Sequence, residues 1–346
     1  MATYPSILGS VFRARLGALV GAACIAVATG LGTPNPSQAA DLTLRYGHMN
    51  APTSITGMQA EWLAEAIARN TGGEIEVQVF PSSQLGKLQE LAEAVSTGTI
   101  ALSHNTAGAL GSLHAPFSAL DTPFLYRDLD HLMKVTDVNS PVMKSLNEGL
   151  IANAGVRVLY AFYFGTRQLT ASQAALSPAD LAGVKIRSIP FPIYMTAVEG
   201  LGAVPVPVDW SEVPTALATG VVAGQENPVN VVLSNKLYDV QSHMMLTGHI
   251  MGAEVVVINE SVWQDLTQAQ RDGIAAAAEE VRQRASKAVE AQEESDLEEL
   301  TGLGMTVIGP EQGLEVDAFR KSVGKLVGER FSEEYGDLYE MITEIK

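Results

Sequence analysis

Apolar and polar positions along the first part of the chain follow a pattern typical of alternating strands and helices. The segments LTLRYGH, EIEVQVF and IALSHN are short and rich in apolar residues, as strands are. Between them, Ser54 can cap a stretch that runs to Asn70 with apolar residues at helical spacing, and KLQELAEAVSTG is similar. This order predicts βαβ units, in which a largely parallel sheet is covered by helices.

The same pattern restarts after a predicted helical stretch at residues 128–152. The segments VRVLYAFYFG and VKIRSI read as strands, PIYMTAVEGLG and SEVPTALATG as helices, and Glu254 to Asn259 as a further strand. We therefore predict an α/β protein with two separate sheets, and so with two lobes. The charge-rich run from Leu266 to Leu303 is too long for one small lobe, and we expect one helix there that spans both.

The lobes are expected to be connected by several crossings of the chain. No tandem repeat, low-complexity tract or Pro/Gly/Ser-rich linker divides the sequence into consecutive domains. The expected boundaries are residues 40–163 plus 252–292 for lobe I, and residues 164–251 plus 293–346 for lobe II.

The N-terminus has the features of a secretory signal peptide. Arg13 and Arg15 precede the apolar stretch LGALVGAACIAVATGLG, and Ser37 and Ala39 provide the small residues that a signal peptidase reads. We expect residues 1–39 to be removed and the mature protein to reach the periplasm.

Two alternatives for this segment are weaker. A retained membrane anchor needs roughly 20 strongly apolar residues, and this run is shorter and diluted by Gly and Ala. A lipoprotein site at Cys24 would need a branched apolar residue where Gly21 stands. Because Cys24 is the only cysteine, removal of the segment excludes disulfides, thiolate catalysis and cysteine metal sites from the mature chain.

The charge balance restricts the class of partner. The 346 residues carry 22 basic and 39 acidic side chains. Hydrophobic residues make up 47% of the chain, which is typical of a globular protein. A chain without a basic stripe is a poor match for nucleic acid, so we expect no nucleic-acid partner. A small anionic ligand is still compatible, since an arginine in a closed cleft is not screened by distant surface charges.

Polar residues that follow the predicted strands mark the candidate site, because open α/β sheets bind ligands at the carboxyl ends of strands. Two of them are arginines, whose rigid forks of donors match a carboxylate. From position alone, either arginine could instead form a structural salt bridge, and Trp210 could be core. Glu226 is expected to orient an arginine or to brace the hinge. The candidates are Arg167, Arg187, Asn227, His48, Asn50, Asn105 and Thr106.

Five segments together resemble one known family. FPSSQLG, GTRQLT, LAGVKIRSIP, LGAVPVPVDWSEVPTAL and TGVVAGQENP are similar to the solute-binding proteins of TRAP (tripartite ATP-independent periplasmic) transporters, in the branch of dicarboxylate and sialic-acid binders. The resemblance covers essentially the whole mature chain. It implies a two-lobe periplasmic binding protein of type II-like fold, which is a monomer, needs no cofactor or metal, and delivers an organic acid to integral-membrane subunits.

The resemblance also implies roles for four residues. Arg187 would form a bidentate salt bridge with the ligand carboxylate, Arg167 would be a second cation nearby, Asn227 would donate an amide and Trp210 would be an aromatic wall. The chain departs from the family pattern at Pro214, where tyrosine is usual, and at Ala223, where an acid is usual. The acid itself stays open: a sugar acid, a C4-dicarboxylate or a smaller hydroxy or keto acid would each satisfy the arginine.

The alternative function is an exported enzyme that acts on a small carboxylate. The sequence lacks a GxSxG elbow, a zincin helix and a phosphate-binding GxxxxGK[ST] loop. A structural or adhesive protein would be expected to contain repeats, and none is found. We therefore expect a receptor and not an enzyme.

Overall fold

The computed structural model describes residues 40–346. The predicted signal peptide, residues 1–39, lies outside the described residues. Within the described part, no helix is both long enough and apolar enough to cross a membrane.

The first part of the described chain alternates strands and helices as the sequence pattern predicts. The predicted cap at Ser54 is present, since its side chain accepts a hydrogen bond from the backbone N–H of Gly57 at 3.0 Å. The elements are β1 (Leu42–Gly47), α1 (Ile55–Asn70), β2 (Ile75–Phe80), α2 (Leu88–Ser96), β3 (Leu102–Thr106), α3 (Ala107–Leu110), α4 (Leu129–Val135) and α5 (Pro141–Ala154).

The second part begins with a strand that is longer than predicted and ends with two long helices. Its strands are β4 (Val156–Ala171), β5 (Lys185–Ser188), β6 (Val204–Pro207), β7 (Gly224–Pro228), β8 (His243–Asn259) and β9 (Thr306–Ile308). Its helices are α6 (Pro192–Gly200), α7 (Val213–Ala218), α8 (Val229–Ser234), α9 (Glu260–Asp265), α10 (Gln268–Gly302) and α11 (Val316–Glu344).

The nine strands found within residues 40–346 all belong to one sheet, which corrects the expectation of two separate sheets. The order is β2-β1-β3-β8-β4-β7-β5-β6, with β9 paired to β8. The strands β1 to β3 on one side and β5 to β7 on the other are parallel among themselves, as predicted. The antiparallel strands β4 and β8, of 16 and 17 residues, join these two groups into one hydrogen-bonded sheet.

The pairing of β4 with β8 is irregular near its middle. The register shifts between Tyr163 and Gly165, and Gly165 pairs with Gly252. Gly165 has a φ of 122°, and a Cβ there would lie 2.6 Å from the Cβ of Pro228, so the backbone requires glycine. The two long strands therefore change course where they pass from one group of parallel strands to the other.

The predicted long helix is confirmed as α10. Its 35 residues correspond to a length of about 50 Å, and Thr267 caps its N-terminus. In its first half, Ile274, Val281 and Ala285 are buried in a cluster with residues of α1 and β1. Near its end, Leu300 is buried in a different cluster, formed with α7 and α8. The helix thus packs against both groups of elements.

The last helix, α11, was not predicted from the sequence. Its buried residues recur at every third or fourth position, which is the spacing of an amphipathic helix. It packs on α6 and on the 3₁₀ helix Ala115–Asp121. At its end, the Tyr339 hydroxyl lies 2.8 Å from that of Thr122, and Nε2 of His131 lies 2.9 Å from the carbonyl oxygen of Ile342.

Candidate ligand-binding site

One pocket collects side chains from both groups of strands. Its cavity volume is only about 20 Å³. The pocket is therefore a narrow slot with its walls close together. Six of the eight predicted site residues line it, and these are Arg167, Arg187, Asn227, Trp210, Asn50 and Thr106.

Arg187 is a buried cation without a counter-ion. It lies on β5, and its side chain is 2% exposed. Its Nε donates to the carbonyl of Val208 at 2.9 Å, and its guanidinium lies 5.7 Å from the ring centroid of Trp210. Within residues 40–346, several arginines form ion pairs with acidic residues, and Arg187 is not one of them. Burial lowers the pKa of Arg187 to about 10, which still leaves it charged at neutral pH.

Arg167, on β4, is instead fully paired inside the protein. Its Nε and Nη2 both donate to the carboxylate of Glu226, and Nη2 also donates to the Glu226 carbonyl at 2.7 Å. His249 Nε2 lies 3.2 Å from the same carboxylate. Although burial alone would raise it, these partners lower the pKa of Glu226 to about 2. The expectation that Glu226 orients an arginine agrees with this geometry.

Asn227 and Trp210 complete this side of the pocket. Asn227 lies on β7, and its Nδ2 donates to Oε1 of Gln225 at 2.5 Å. Trp210 is partly buried and lies in the pocket wall, with the guanidinium of Arg187 over its ring. Asn227 and Trp210 therefore contribute an amide and an aromatic face to the pocket that Arg187 lines.

Asn50 and Thr106 form part of the opposite wall. Asn50 Oδ1 lies 2.7 Å from Nε2 of His104, which fixes its side-chain orientation. Thr106 is at the carboxyl end of β3 and caps α3. Between these walls, Lys87 Nζ lies 2.6 Å from Asp209, so a lysine at the start of α2 contacts the loop that precedes Trp210.

His48 and Asn105 are not among the residues that line the pocket. His48 is 1% exposed and stacks on His104 at 4.8 Å between ring centroids, and burial lowers its pKa to about 4. Asn105 donates to the hydroxyl of Ser103 at 2.7 Å. Because neighbouring side chains on a strand point to opposite faces, Asn105 and Thr106 cannot both reach the same pocket.

Two acidic residues of the pocket were missed by the sequence analysis. Asp209 is one, and the other is Glu254, which the analysis treated only as the first residue of a strand. Burial raises the pKa of Glu254 to about 8, with the carboxylate of Asp121 adding to the rise and Arg167 opposing it. The available signal was a lone acid in the apolar run GAEVVVIN.

The remaining wall is apolar and was also not predicted. Its residues come from both groups of elements. Of the two arginines that line the pocket, Arg167 is paired with Glu226, and Arg187 is the one that forms no ion pair within residues 40–346. A pocket that combines apolar walls with a few placed polar and charged groups is typical of a small-molecule site. The apolar lining residues are Met49, Leu88, Phe164, Ile189, Pro190 and Val231.

The sequence pattern of the bacterial extracellular solute-binding proteins, family 7, matches residues 46–334. The chain belongs to this family. Its members are transport receptors and not enzymes, and they act in the periplasm with TRAP transporters. Within residues 40–346, no cluster of His, Cys, Asp or Glu is arranged to hold a metal ion.

The chain is similar to the 2,3-diketo-L-gulonate-binding periplasmic protein YiaO of Escherichia coli. The two are 31% identical over 323 residues, which cover 92% of this chain and 96% of YiaO. The chain is also similar to the sialic acid-binding periplasmic protein SiaP of Vibrio cholerae, with 28% identity that covers 83% of this chain and 88% of SiaP.

A solved structure with the same fold is a TRAP periplasmic solute-binding protein of Polaromonas with bound D-erythronate. It has a TM-score of 0.82 and 31% identity, and the match covers 88% of this chain and 99% of that one. The family and the structural match together confirm the two-lobe α/β fold that the sequence predicted.

Proposed function

We propose that this protein captures an organic acid anion in the pocket between its lobes and delivers it to the membrane subunits of a TRAP transporter. The observation that carries the proposal is Arg187, a buried and charged guanidinium with no ion-pair partner within residues 40–346. Burying an unpaired charge costs stability. A ligand carboxylate would remove this cost by supplying the missing counter-ion.

The names of similar proteins support a carboxylate ligand. YiaO is named for 2,3-diketo-L-gulonate, SiaP for sialic acid, and the Polaromonas protein was solved with D-erythronate. These compounds differ in size and shape and share a carboxylate. The shared group is the one that a buried arginine recognises best, because a guanidinium donates two parallel hydrogen bonds to its two oxygens.

Arg187 is the primary clamp in this proposal. Its Nη atoms would donate to the carboxylate while its Nε is held by Val208. Asn227 would donate its amide to the same group, and Trp210 would cover the guanidinium and exclude water. Arg167, which is neutralised by Glu226, would contribute a weaker second contact.

Capture requires the lobes to separate and close, because the pocket is too narrow for a ligand to enter without movement. We assign residues 40–163 plus 252–292 to lobe I and residues 164–251 plus 293–346 to lobe II. The strands β4 and β8 cross between these lobes at Gly165 and Gly252, where their register shifts. A ligand that contacts both walls would shift the equilibrium toward the closed form.

We further propose that residues 1–39 are a signal peptide and that the mature protein begins at Ala40 or within a few residues of it. The periplasmic family and the composition of this segment support the assignment. N-terminal sequencing of secreted protein tests it. A sequence that begins with Met1, or a lipid on Cys24, would contradict it.

Calorimetric titration tests the binding function. Purified protein, freed of bound ligand by unfolding and refolding, is titrated with sugar acids, C4-dicarboxylates and small hydroxy and keto acids, and each mixture is assayed for product. We expect one class to bind without turnover. Arg187→Lys keeps the charge but loses the planar fork, and should weaken binding by about ten-fold to a hundred-fold.

The matched control is Lys185→Met. Lys185 is on the same strand, two residues earlier, and its side chain is exposed. This variant should bind the ligand like the wild type. Near-normal affinity in Arg187→Lys would contradict the carboxylate clamp, and turnover of a bound acid would show an enzyme instead of a receptor.

A further inference from the structure

Glu254 has a buried carboxyl group with no partner. It lies on β8, opposite Thr106 of β3 and Phe162 of β4, at the centre of the sheet. Its side chain is 1% exposed and lines the pocket together with Arg167 and Arg187. Neither Oε1 nor Oε2 forms a hydrogen bond with any group in residues 40–346.

The two charged groups that act most directly on Glu254, Arg167 and Asp121, already have other partners. Arg167 donates to Glu226. Asp121 accepts from the hydroxyl of Tyr194 and from the N–H of Gly108, both at 2.6 Å. Buried polar groups without partners are rare, and each costs about 1 to 3 kcal/mol. A ligand group is therefore the partner that this carboxyl has available.

We propose that Glu254 hydrogen-bonds to a hydroxyl group of the bound acid and makes the receptor selective for hydroxylated acids. The inference rests on the proposed function, in which Arg187 takes the carboxylate of the same ligand. Glu254 would then recognise a hydroxyl group of the ligand, while Arg187 binds its carboxylate.

A hydroxyl group fits this position better than an ammonium group. Burial and the carboxylate of Asp121 favour the protonated form of Glu254 at neutral pH, while Arg167 opposes them. Tyr46, which also faces Glu254, is itself neutral because burial raises its pKa. A protonated carboxyl group offers one donor and one acceptor, and a hydroxyl group offers the same pair. An ammonium group has no acceptor and would add a cation beside Arg187.

A second carboxylate fits less well too. The pocket has one cation that the protein does not neutralise, Arg187, and its other acid, Asp209, is paired with Lys87. A dicarboxylate would bring two negative charges against that single cation. It would also leave one oxygen of the protonated Glu254 carboxyl group without a donor. The polar balance of the pocket therefore favours a monocarboxylate with hydroxyl groups.

Calorimetric titrations with matched acids test this assignment. The probes are D-erythronate, L-galactonate, the analogues of each that lack a single hydroxyl group, and butanoate and succinate as acids without hydroxyl groups. The proteins are wild type, Glu254→Gln and Glu254→Leu. Gln keeps one donor and one acceptor in nearly the same shape, whereas Leu keeps neither.

In the wild type, we expect one analogue to bind about ten-fold more weakly than its parent acid, or weaker still. The hydroxyl group that this analogue lacks would be the partner of Glu254, so its absence leaves Glu254 unpaired. Glu254→Leu should bind parent and analogue within about two-fold of each other, and Glu254→Gln should keep most of the wild-type difference. Melting temperatures check folding. The leucine replaces an unpaired buried carboxyl group, so Glu254→Leu should not be less stable than the wild type. If its melting temperature is lower, Glu254→Ala is used in the titrations instead.

Three results would overturn the assignment. One is an undiminished difference between parent and analogue in the Leu variant. Another is a wild type that binds only butanoate or succinate, which would leave the proposed receptor function intact and remove Glu254 from it. The third is a wild type that binds no organic acid and behaves like Arg187→Lys, which would remove the proposed function itself.

Discussion

Replacing Arg187 by methionine separates its contribution to binding from its contribution to folding. In the folded protein, burial lowers the pKa of Arg187 from its ordinary value to about 10. This difference corresponds to about 3 kcal/mol of unfavourable free energy for folding with the charged form. Because the folded state holds the proton less tightly, the cost is fully present below about pH 10 and disappears as the pH rises from there toward the ordinary pKa of arginine.

Part of this cost is offset by contacts that methionine would lose. The bond from Nε to the carbonyl of Val208, at 2.9 Å, is worth about 1 to 2 kcal/mol. Methionine would still pack on the ring of Trp210. The net expectation for Arg187→Met is a ligand-free protein that is about 1 to 2 kcal/mol more stable than the wild type, with a melting temperature higher by about 2 to 6 °C.

Binding should change in the opposite direction. Without a guanidinium, the ligand carboxylate would be buried with Asn227 as its main remaining donor, and affinity should fall by a hundred-fold or more. The assays are differential scanning calorimetry of the ligand-free protein at pH 7 and calorimetric titration with the best-bound acid. Lys185→Met, at an exposed position, is the control for the loss of a cation.

The opposite pair of results would refute this reasoning. If Arg187 braces the fold, Arg187→Met will melt several degrees below the wild type while its affinity for the acid stays nearly normal. That result would show that the guanidinium of Arg187 stabilises the ligand-free protein and does not bind the ligand carboxylate.

Three further predictions concern the scaffold of the site. Glu226→Gln should lower the free energy of unfolding by about 3 to 5 kcal/mol at pH 7, because it leaves the guanidinium of Arg167 buried without its counter-ion. The pKa of Glu226 is about 2 when folded and 4.5 ordinarily, so wild-type stability from this group should be present above pH 4.5 and lost toward pH 2; urea titrations that show no difference between wild type and variant at pH 7 would contradict the pairing. Ala285→Pro should cost about 3 kcal/mol or more, since Ala285 is buried within α10, and unchanged melting would contradict a continuous helix. Lys87→Gln should weaken ligand binding by less than about ten-fold, in a salt-dependent way, because its ion pair with Asp209 is partly exposed; a larger loss, unaffected by salt, would assign Lys87 to the ligand.

The local pattern of the sequence was sufficient for most of the elements, although not for α11. Helices and strands leave a period in the apolar residues, which is why the βαβ alternation and α10 were predicted closely. Arg187 was expected at the end of its strand and is the last residue but one of β5, whereas Arg167 was expected after its strand and lies within β4, which continues to Ala171. The resemblance to TRAP solute-binding proteins, carried by continuous motifs, was confirmed by the family match.

Properties that depend on distant residues required the tertiary structure. The single sheet results from the pairing of β4 with β8, two strands more than 70 residues apart in the chain, whose extended lengths were underestimated. The positions of His48 and Asn105 outside the pocket depend on which face of the sheet each side chain occupies, and one residue of register decides that face.

The difference between the two arginines was also decided by the fold. Both lie on a strand and both are buried, so nothing local distinguishes them. Arg167 lies next to Glu226 across the β4–β7 pair and is neutralised there, whereas Arg187 forms no ion pair within residues 40–346. Glu254 is hidden in sequence as one acid in an apolar strand, and becomes a site residue because the sheet buries it beside Arg167 in a pocket that gives it no partner. Charge pairing and burial are properties of three-dimensional neighbours, and the sequence specifies those neighbours only through the whole fold.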